Sequence, residues 1–407
     1  MVGEWQEFAL GALTENFDSI RVPVKGTDRR SGPYPYYGAS GIVDHIDDYI
    51  FDGEYLLVAE DGENLRTRNT PVAFLANGKF WVNNHAHIVR GNDRADTRFL
   101  RYSLAATNIS GYLTGSTMPK LTQGNLKRIR IIAPPIAEQR EIAHILGTLD
   151  DKIELNRRMN ETLEAMAQAI FKSWFVNFDP VRAKAAGRDP ALPKPIAALF
   201  PDSFEDSELG KIPGGWEISS LEGLVKLGRE SINPGSFKKE IFNHYSIPAF
   251  DDGKVPKKEK GKSIKSNKYL VSAQAVLLSK LNPRFPRIWL PDIKADYRSI
   301  CSTEFLVALP TAAISREFIY CLFSSQTFLK EFETLTTGTS GSHQRVKPAS
   351  MLAMKFVRAP QKVVVAFSQI VCPKFSQVAL LQSESRTLAA LRDTLLPKLI
   401  SGELRVG

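Results

Sequence analysis

The chain has 407 residues, 43% of them hydrophobic and 24% charged, which is ordinary for a globular protein and leaves room for two or three domains with buried cores. Lys and Arg number 53 against 44 Asp and Glu, and the net charge of +9 favours a polyanionic partner. Cys301, Cys321 and Cys372 are too few and scattered for a disulfide framework or a zinc site, the N-terminus carries no basic-then-apolar leader, and no uncharged apolar run approaches about 18 residues, so a cytoplasmic chain with no membrane partner is expected.

Residues 1–135 read as a first domain of mixed α and β character. Residues 55–59 predict a strand, and residues 72–75 and 80–82 flank Asn77-Gly78, the dipeptide of a tight hairpin turn. Residues 136–176 then carry a long helix, from about Glu138 to Phe175. Ile142, Leu149, Asn156, Leu163 and Ile170 recur along it at heptad spacing, with Ile145, Leu146, Ile153, Met159 and Met166 in the interleaved places. Such a stripe over roughly 38 residues, about three times the mean globular helix, predicts a coiled-coil seam on which Asn156 costs stability and fixes register.

Residues 177–215 carry Pro180, Pro190, Pro193, Pro195, Pro201 and Pro213 and an acidic patch of Asp202, Glu205, Asp206 and Glu208, the make-up of an extended connector. A second mixed domain follows over 216–361. Residues 269–279 read as strand, Asn282-Pro283 breaks it, and residues 288–290 resume it. Residues 362–407 hold a second long helix, with Phe367, Val371, Val378, Leu381, Leu388, Leu395 and Leu399 on one stripe that pairs with the first helix. Pro373 should kink or restart it, because proline has no amide to donate.

The order domain, helix, domain, helix is an imperfect duplication. Trp5-Gln-Glu-Phe-Ala-Leu resembles Trp216-Glu-Ile-Ser-Ser-Leu, Phe99-Leu100 matches Phe318-Ile319, Gly115-Ser116 matches Gly341-Ser342, and Ala-Pro pairs ending at Pro134 and Pro360 precede the two long helices. The expected fold is α+β: two mixed α/β domains separated by two long helices that form an antiparallel coiled coil.

No catalytic constellation or metal site is expected. Asn282-Pro-Arg-Phe is similar to the Asn-Pro-Pro-Tyr/Phe loop of amino-methyltransferases, but Arg284 replaces the second proline and no Gly-rich cofactor loop precedes it. Pro291-Asp292 lacks the Glu-x-Lys that completes a nuclease metal site, and no Walker loop occurs. His85 and His87 share one face of a strand without further ligands. Basic and polar loops point instead to duplex DNA. Lys254 to Lys268 holds seven lysines against one glutamate; Pro256 and Gly261 make it a loop, and Lys254, Lys257, Lys258, Lys260, Lys262 and Lys265 suit phosphates rather than bases. Lys280, Arg284 and Arg287 extend that field. Ser342, His343, Gln344 and Arg345 lie on a loop able to reach base edges, Gln344 towards adenine and Arg345 towards guanine. The first copy offers Lys120 and Gln123 on the equivalent stretch, and Tyr36, Tyr37, Ser40 and Lys79.

Long strings of the chain resemble the specificity subunits of type I restriction-modification systems: Pro35-Tyr-Tyr-Gly-Ala-Ser-Gly-Ile-Val, Phe51-Asp-Gly-Glu-Tyr-Leu-Leu-Val-Ala-Glu-Asp-Gly, Ile132-Ala-Pro-Pro-Ile-Ala-Glu-Gln-Arg-Glu-Ile, Phe171-Lys-Ser-Trp-Phe-Val-Asn-Phe-Asp-Pro-Val, Phe204-Glu-Asp-Ser-Glu-Leu-Gly-Lys-Ile-Pro and Arg392-Asp-Thr-Leu-Leu-Pro-Lys-Leu-Ile-Ser-Gly-Glu-Leu. The second copy departs, reading Gln-Lys-Val-Val-Val after Pro360 where that family has Pro-x-x-Glu-Gln. The resemblance implies two target-recognition domains, each reading one half of a split DNA target, on a non-catalytic subunit. It further implies two modification subunits that methylate adenine with S-adenosylmethionine, and restriction (helicase-nuclease) subunits that use ATP and Mg. The cofactors belong to those partners and none to this chain. The alternative is a stand-alone bipartite DNA-binding regulator; a self-sufficient methyltransferase is a third reading, and would require this chain to bind S-adenosylmethionine.

Overall fold

The computed structural model describes residues 5–294, 296–311, 314–337 and 344–406. The chain divides into two compact units, one of Met1–Asn156 with Ser383–Gly407 and one of Arg157–Gln382.

The first unit runs β1 (Gln6–Ala9), α1 (Leu10–Leu13), β2 (Thr14–Asn16), β3 (Ser31–Gly38), β4 (Gly41–Ile46), β5 (Phe51–Asp52), β6 (Tyr55–Ala59), α2 (Asn64–Thr67), β7 (Ala73–Ala76), β8 (Lys79–Val82), β9 (Ala86–Gly91), α3 (Thr97–Ala106), α4 (Gln123–Arg128), β10 (Arg130–Ala133) and the first half of α5 (Ile136–Phe175). One sheet has the order β2-β9-β6-β7, another β4-β3-β8-β5, and β1 pairs with β10. Alternation along β6 feeds two cores. Leu56 and Val58 join Phe99 and Leu100 of α3, whereas Leu57 joins Phe51, Phe80 and Val82. Asp96 caps α3, accepting from the amides of Arg98 and Phe99. Gln139, buried near the start of α5, accepts from the Asp96 amide at 3.0 Å and donates to the Arg94 and Pro134 carbonyls.

The second unit runs from the rest of α5 through α6 (Asp179–Ala185), α7 (Lys194–Ala197), β11 (Phe204–Ser207), β12 (Gly210–Pro213), β13 (Glu217–Ser220), β14 (Val225–Gly228), β15 (Ser231–Ile232), β16 (Ile241–Tyr245), α8 (Ile247–Asp251), β17 (Lys257–Lys260), β18 (Lys268–Leu270), β19 (Val276–Ser279), β20 (Ile288–Trp289), β21 (Arg298–Cys301) and β22 (Phe305–Pro310). It continues with α9 (Arg316–Phe323), α10 (Gln326–Thr334), β23 (Thr336–Thr337), β24 (Arg345–Val346), α11 (Pro348–Leu352), β25 (Lys355–Arg358) and the start of α12 (Gln361–Ser401). The sheet β14-β22-β19-β20 repeats the order of β2-β9-β6-β7, and the pair β13-β25 repeats β1-β10. Ser315 caps α9 as Asp96 caps α3. The second sheet has five strands here, β15-β18-β21-β16-β17.

The two long helices are antiparallel, since rising numbers on α5 meet falling numbers on α12. In the first unit Glu138 meets Arg405 at 2.7 Å, Asp150 meets Arg392 at 2.7 Å, and buried Asn156 donates to Glu384 at 2.8 Å. In the second unit Phe171 and Phe175 pack on Phe367, with ring centroids 5.8 and 5.3 Å away. By length and composition α12 is apolar enough to cross a membrane; in the fold Val363, Phe367, Val371 and Phe375 are buried in the core of the second unit.

Several expectations are corrected. Residues 73–76 and 79–82 form no hairpin: Gly78, at φ +74°, passes the chain between sheets, β7 pairing with β6 and β8 with β3 and β5. The strand expected over 269–279 is two strands of different sheets, parted at residues 271–275. The proline-rich stretch is no extended connector, because Val181 and Phe200 are buried with Trp216 in the core of the second unit. Pro373 does not interrupt α12: it lies on the exposed side, as does Gln369, whose carbonyl loses its amide partner. Met159 and Met166 are 39% and 45% exposed. The inner positions go to Asn160 and Ala167 instead, which continue the heptad of Leu146 and Ile153.

Candidate nucleic-acid interface

Each unit ends its first sheet in a tip where the strand at the second place from the edge runs out and a distant segment bridges it. In the second unit β19 stops at Ser279. Val346 donates its amide to the Lys280 carbonyl at 3.0 Å, Leu281 forms a β-bridge with Arg345, and Asn282 donates its amide to the Gln344 carbonyl at 2.9 Å. Asn282 sits in the left-handed region, φ +49°, which asparagine tolerates better than most side chains, and the turn closes when Phe285 donates to the Asn282 carbonyl at 2.9 Å. Arg287 holds Asp251 through two nitrogens, at 2.7 and 2.9 Å, and Arg345 grips Glu304 at 3.0 Å. The fold therefore collects Lys280, Arg284, Arg287, Gln344 and Arg345 at one tip. Ser342 and His343 lie outside the described residues.

In the first unit β6 plays the part of β19. Lys120 forms β-bridges with Asp61 and Thr114 and places its ammonium 3.2 Å from Glu60. Arg66 donates to the Gly115 carbonyl at 3.0 Å. Gly115 has φ +85°, and a Cβ there would meet the Met118 oxygen at 2.2 Å, so no other residue fits. Behind this tip both ring nitrogens of buried His87 face oxygen atoms, Asp18 at 2.6 Å and the Leu121 carbonyl at 2.7 Å. Burial alone would raise the Asp18 carboxyl, but the hydrogen bond and charge of His87, the Ile88 amide and Arg21 outweigh it and hold the pKa at about 2. Gln123 donates to Asn16 and Asp18, at 2.8 and 3.1 Å, so its amide is engaged in this frame.

The other expected contacts are scattered. Tyr36 is buried, its hydroxyl accepting from the Val24 amide at 3.1 Å, so its ring serves the core rather than a surface contact, and half-buried Tyr37 packs on Phe74 and Phe80. Ser40 is exposed in the turn between β3 and β4. Lys79 opens β8 with its ammonium 4.4 Å from the Tyr49 ring centre. The lysine run is not a loop throughout, since Lys257–Lys260 is β17, an edge strand hydrogen-bonded to β16 alone. Lys257 pairs with Asp252 at 3.6 Å, Lys258 lies 4.8 Å from the Tyr297 ring, Lys254 lies 5.2 Å from the Phe250 ring, and Lys260, Lys262 and Lys265 are exposed. Sequence reasoning passed over Phe285 and Met118, 55% and 63% exposed at the two tips. A flanking pattern marked each of them: Pro-Arg-Phe-Pro around Phe285, and Gly115 to Pro119 around Met118. Among the described residues no cluster of three or more His, Cys, Asp or Glu side chains could hold a metal.

Comparison with known proteins bears on what these tips serve. Residues 3–165 match the type I restriction modification DNA specificity domain. A putative type I restriction enzyme specificity subunit of Haemophilus influenzae is 40% identical over 146 residues, covering 36% of this chain and 37% of that protein, so that match spans little more than a third of the relative. The MjaIX specificity subunit of Methanocaldococcus jannaschii is 26% identical over 378 residues, 86% of this chain and 79% of that one. A solved type I S subunit from M. genitalium has a similar fold, with TM-score 0.62 and 15% identity over 98% of this chain and 96% of that one.

Proposed function

We propose that the chain is a type I restriction-modification specificity subunit, on the strength of the matched domain and the relatives above, and that it reads a bipartite duplex DNA target, one half-target for each unit, and assembles the enzyme that acts there. The observation that carries this reading is the duplicated tip: two units of one chain repeat the same strand order and end β6 and β19 in the same kind of bridge. A repeated reading head suits a target of two separate halves. Phosphates are held by the lysines of the β17 region and by Lys280 and Arg284, which set affinity and position; side chains at the tips address base edges, which set sequence. Gln344 and Arg345, Lys120, and exposed Ser40 and Lys79 remain contacts of this proposal.

In this reading the chain performs no chemistry of its own. Two modification subunits supply S-adenosylmethionine-dependent adenine methylation, and restriction subunits supply ATP- and Mg-dependent translocation and cleavage. Long α5 and α12 offer the modification subunits helical surface to dock on. Methylome sequencing of strains with and without the gene tests the proposal. Loss of methylation at one split, asymmetric motif is expected, and an unchanged methylome would overturn it. Exchanging residues 216–360 for those of a related subunit should alter one half of that motif and leave the other intact.

A further inference from the structure

We propose that Phe285 is a base contact, an apolar knob that meets the 5-methyl group of a thymine in the half-target read by the second unit; this rests on the reading of that unit as a DNA reader. A single exposed apolar side chain is ordinary on a protein surface and calls for no explanation. Phe285 differs in how it is held and in what surrounds it.

The turn that carries it is anchored on both sides of Phe285. Its amide closes the turn on the Asn282 carbonyl at 2.9 Å, and Asn282 is itself anchored to Gln344. Pro283 is buried beneath it, and Pro286 restricts the backbone of Phe285 from the other side. Arg287 is locked by two hydrogen bonds to Asp251, with its remaining terminal nitrogen 3.5 Å from the Phe285 carbonyl oxygen. An aromatic ring kept 55% exposed on so rigid a mount forgoes burial without gaining backbone freedom. That is what a preorganised contact requires, because little ordering cost remains at binding.

The surroundings name the partner. The Arg284 guanidinium lies 5.1 Å from the ring centre, and Lys280 follows the end of β19 in the segment that leads into the turn. A protein ligand offered to this tip would have to be apolar and anionic within a few ångströms; duplex DNA supplies both, phosphates for the cations and, on its base edges, the thymine methyl as the apolar group of the major groove. The first unit mounts an exposed apolar side chain at its own tip too, Met118, from the opposite strand of the equivalent bridge.

The test uses the full chain assembled with its modification subunits and duplexes carrying the motif found by methylome sequencing. Each thymine of the second half-target is replaced in turn by deoxyuridine, which removes one methyl group. Wild type should lose about fourfold in affinity at one position, the worth of one methyl. Phe285→Ala should bind the target about tenfold more weakly, be indifferent to deoxyuridine at that position, and keep the wild-type salt dependence and melting temperature. Phe285→Leu should recover part of the loss. The proposal is overturned if Phe285→Ala binds as wild type does, if it loses affinity equally on unrelated duplexes, or if that half-target holds no thymine on either strand. Failure of the underlying reading would look different: wild type itself would then show no preference for any duplex.

Discussion

The lysine edge strand gives the sharpest quantitative test of the proposed DNA contact. On β17 side chains alternate, so Lys258 and Lys260 share one face while Lys257 and Glu259 share the other. Glu259 is bonded to His244 and Lys257 is paired with Asp252, so the second face is partly neutralised within the protein. Lys262, just beyond the strand, is exposed. The triple variant Lys258→Gln, Lys260→Gln, Lys262→Gln should therefore remove up to three phosphate contacts, and Lys257→Gln alone should matter least. Each lost contact lowers the slope of log affinity against log salt by about 0.9, or about 2.7 for three. Between 50 and 200 mM salt, wild type should then lose roughly 40-fold more affinity than the triple variant. Fluorescence anisotropy of a labelled duplex across that range reads the slope directly, and the methylated motif should stay unchanged. An unchanged slope would refute the reasoning: the lysines would then only guard an exposed sheet edge against pairing with other chains, a common use of lysine there. A changed motif would refute it in the other sense, by making these side chains base readers.

Three further outcomes follow from the packing. The depressed Asp18 pKa, about 2 against an ordinary 3.8, contributes stability that is fully present above about pH 4 and is lost as pH falls towards 2. Asp18→Asn should cost about 1–2 kcal/mol at neutral pH and flatten the denaturation midpoint between pH 5 and pH 2.5; an equally steep acid limb would count against it. Asp150 accepts from Arg101, the Tyr102 hydroxyl and Arg392, tying α3 and α12 to α5. Asp150→Ala should lower stability by about 2–3 kcal/mol with an unchanged denaturant m value, and a loss below about 0.5 kcal/mol would show those groups to be rehydrated without cost. Asn156→Leu should raise the midpoint by about 1 kcal/mol, since the Asn156 Oδ1 is buried with no partner among the described residues, while its two bonds to α12 disappear. A lower midpoint would show that those bonds outweigh the buried orphan.

What was legible in the sequence is what depends on spacing alone. Ile142, Leu146, Leu149, Ile153 and Asn156 turn inward because a seven-residue repeat on a helix can face only one seam. The duplication was visible for the same reason. What escaped depends on partners remote in sequence. Met159 and Met166 suit the seam by apolar character, yet Ala167 is buried and Asn160 half-buried while the methionines are exposed. Asn77-Gly78 does turn the chain, but no local pattern says that the strand after it joins β3, about forty residues earlier, rather than β7. Tyr36 and Tyr37 look like surface aromatics in a polar string, and only the folded sheets bury Tyr36 and half-bury Tyr37 against Phe80.

The tips show where such limits lie for function. Arg345 is expected to reach towards guanine and Lys120 lies on the equivalent stretch of the first copy, but in the fold each is first a structural residue, bridging a strand end and satisfying a carboxylate, Glu60 or Glu304. A cation already paired at about 3 Å gives up that pairing, or shares it, to reach a phosphate, so its net gain at binding is smaller than that of an unpaired one. The side chains with most to gain are those the fold leaves exposed at the tips, Arg284, Phe285 and Met118. Charge counting finds Arg284 but passes over Phe285 and Met118, which carry no charge. Under the proposed reading, a change of target can be made at such positions without disturbing the paired residues that hold the tip in place.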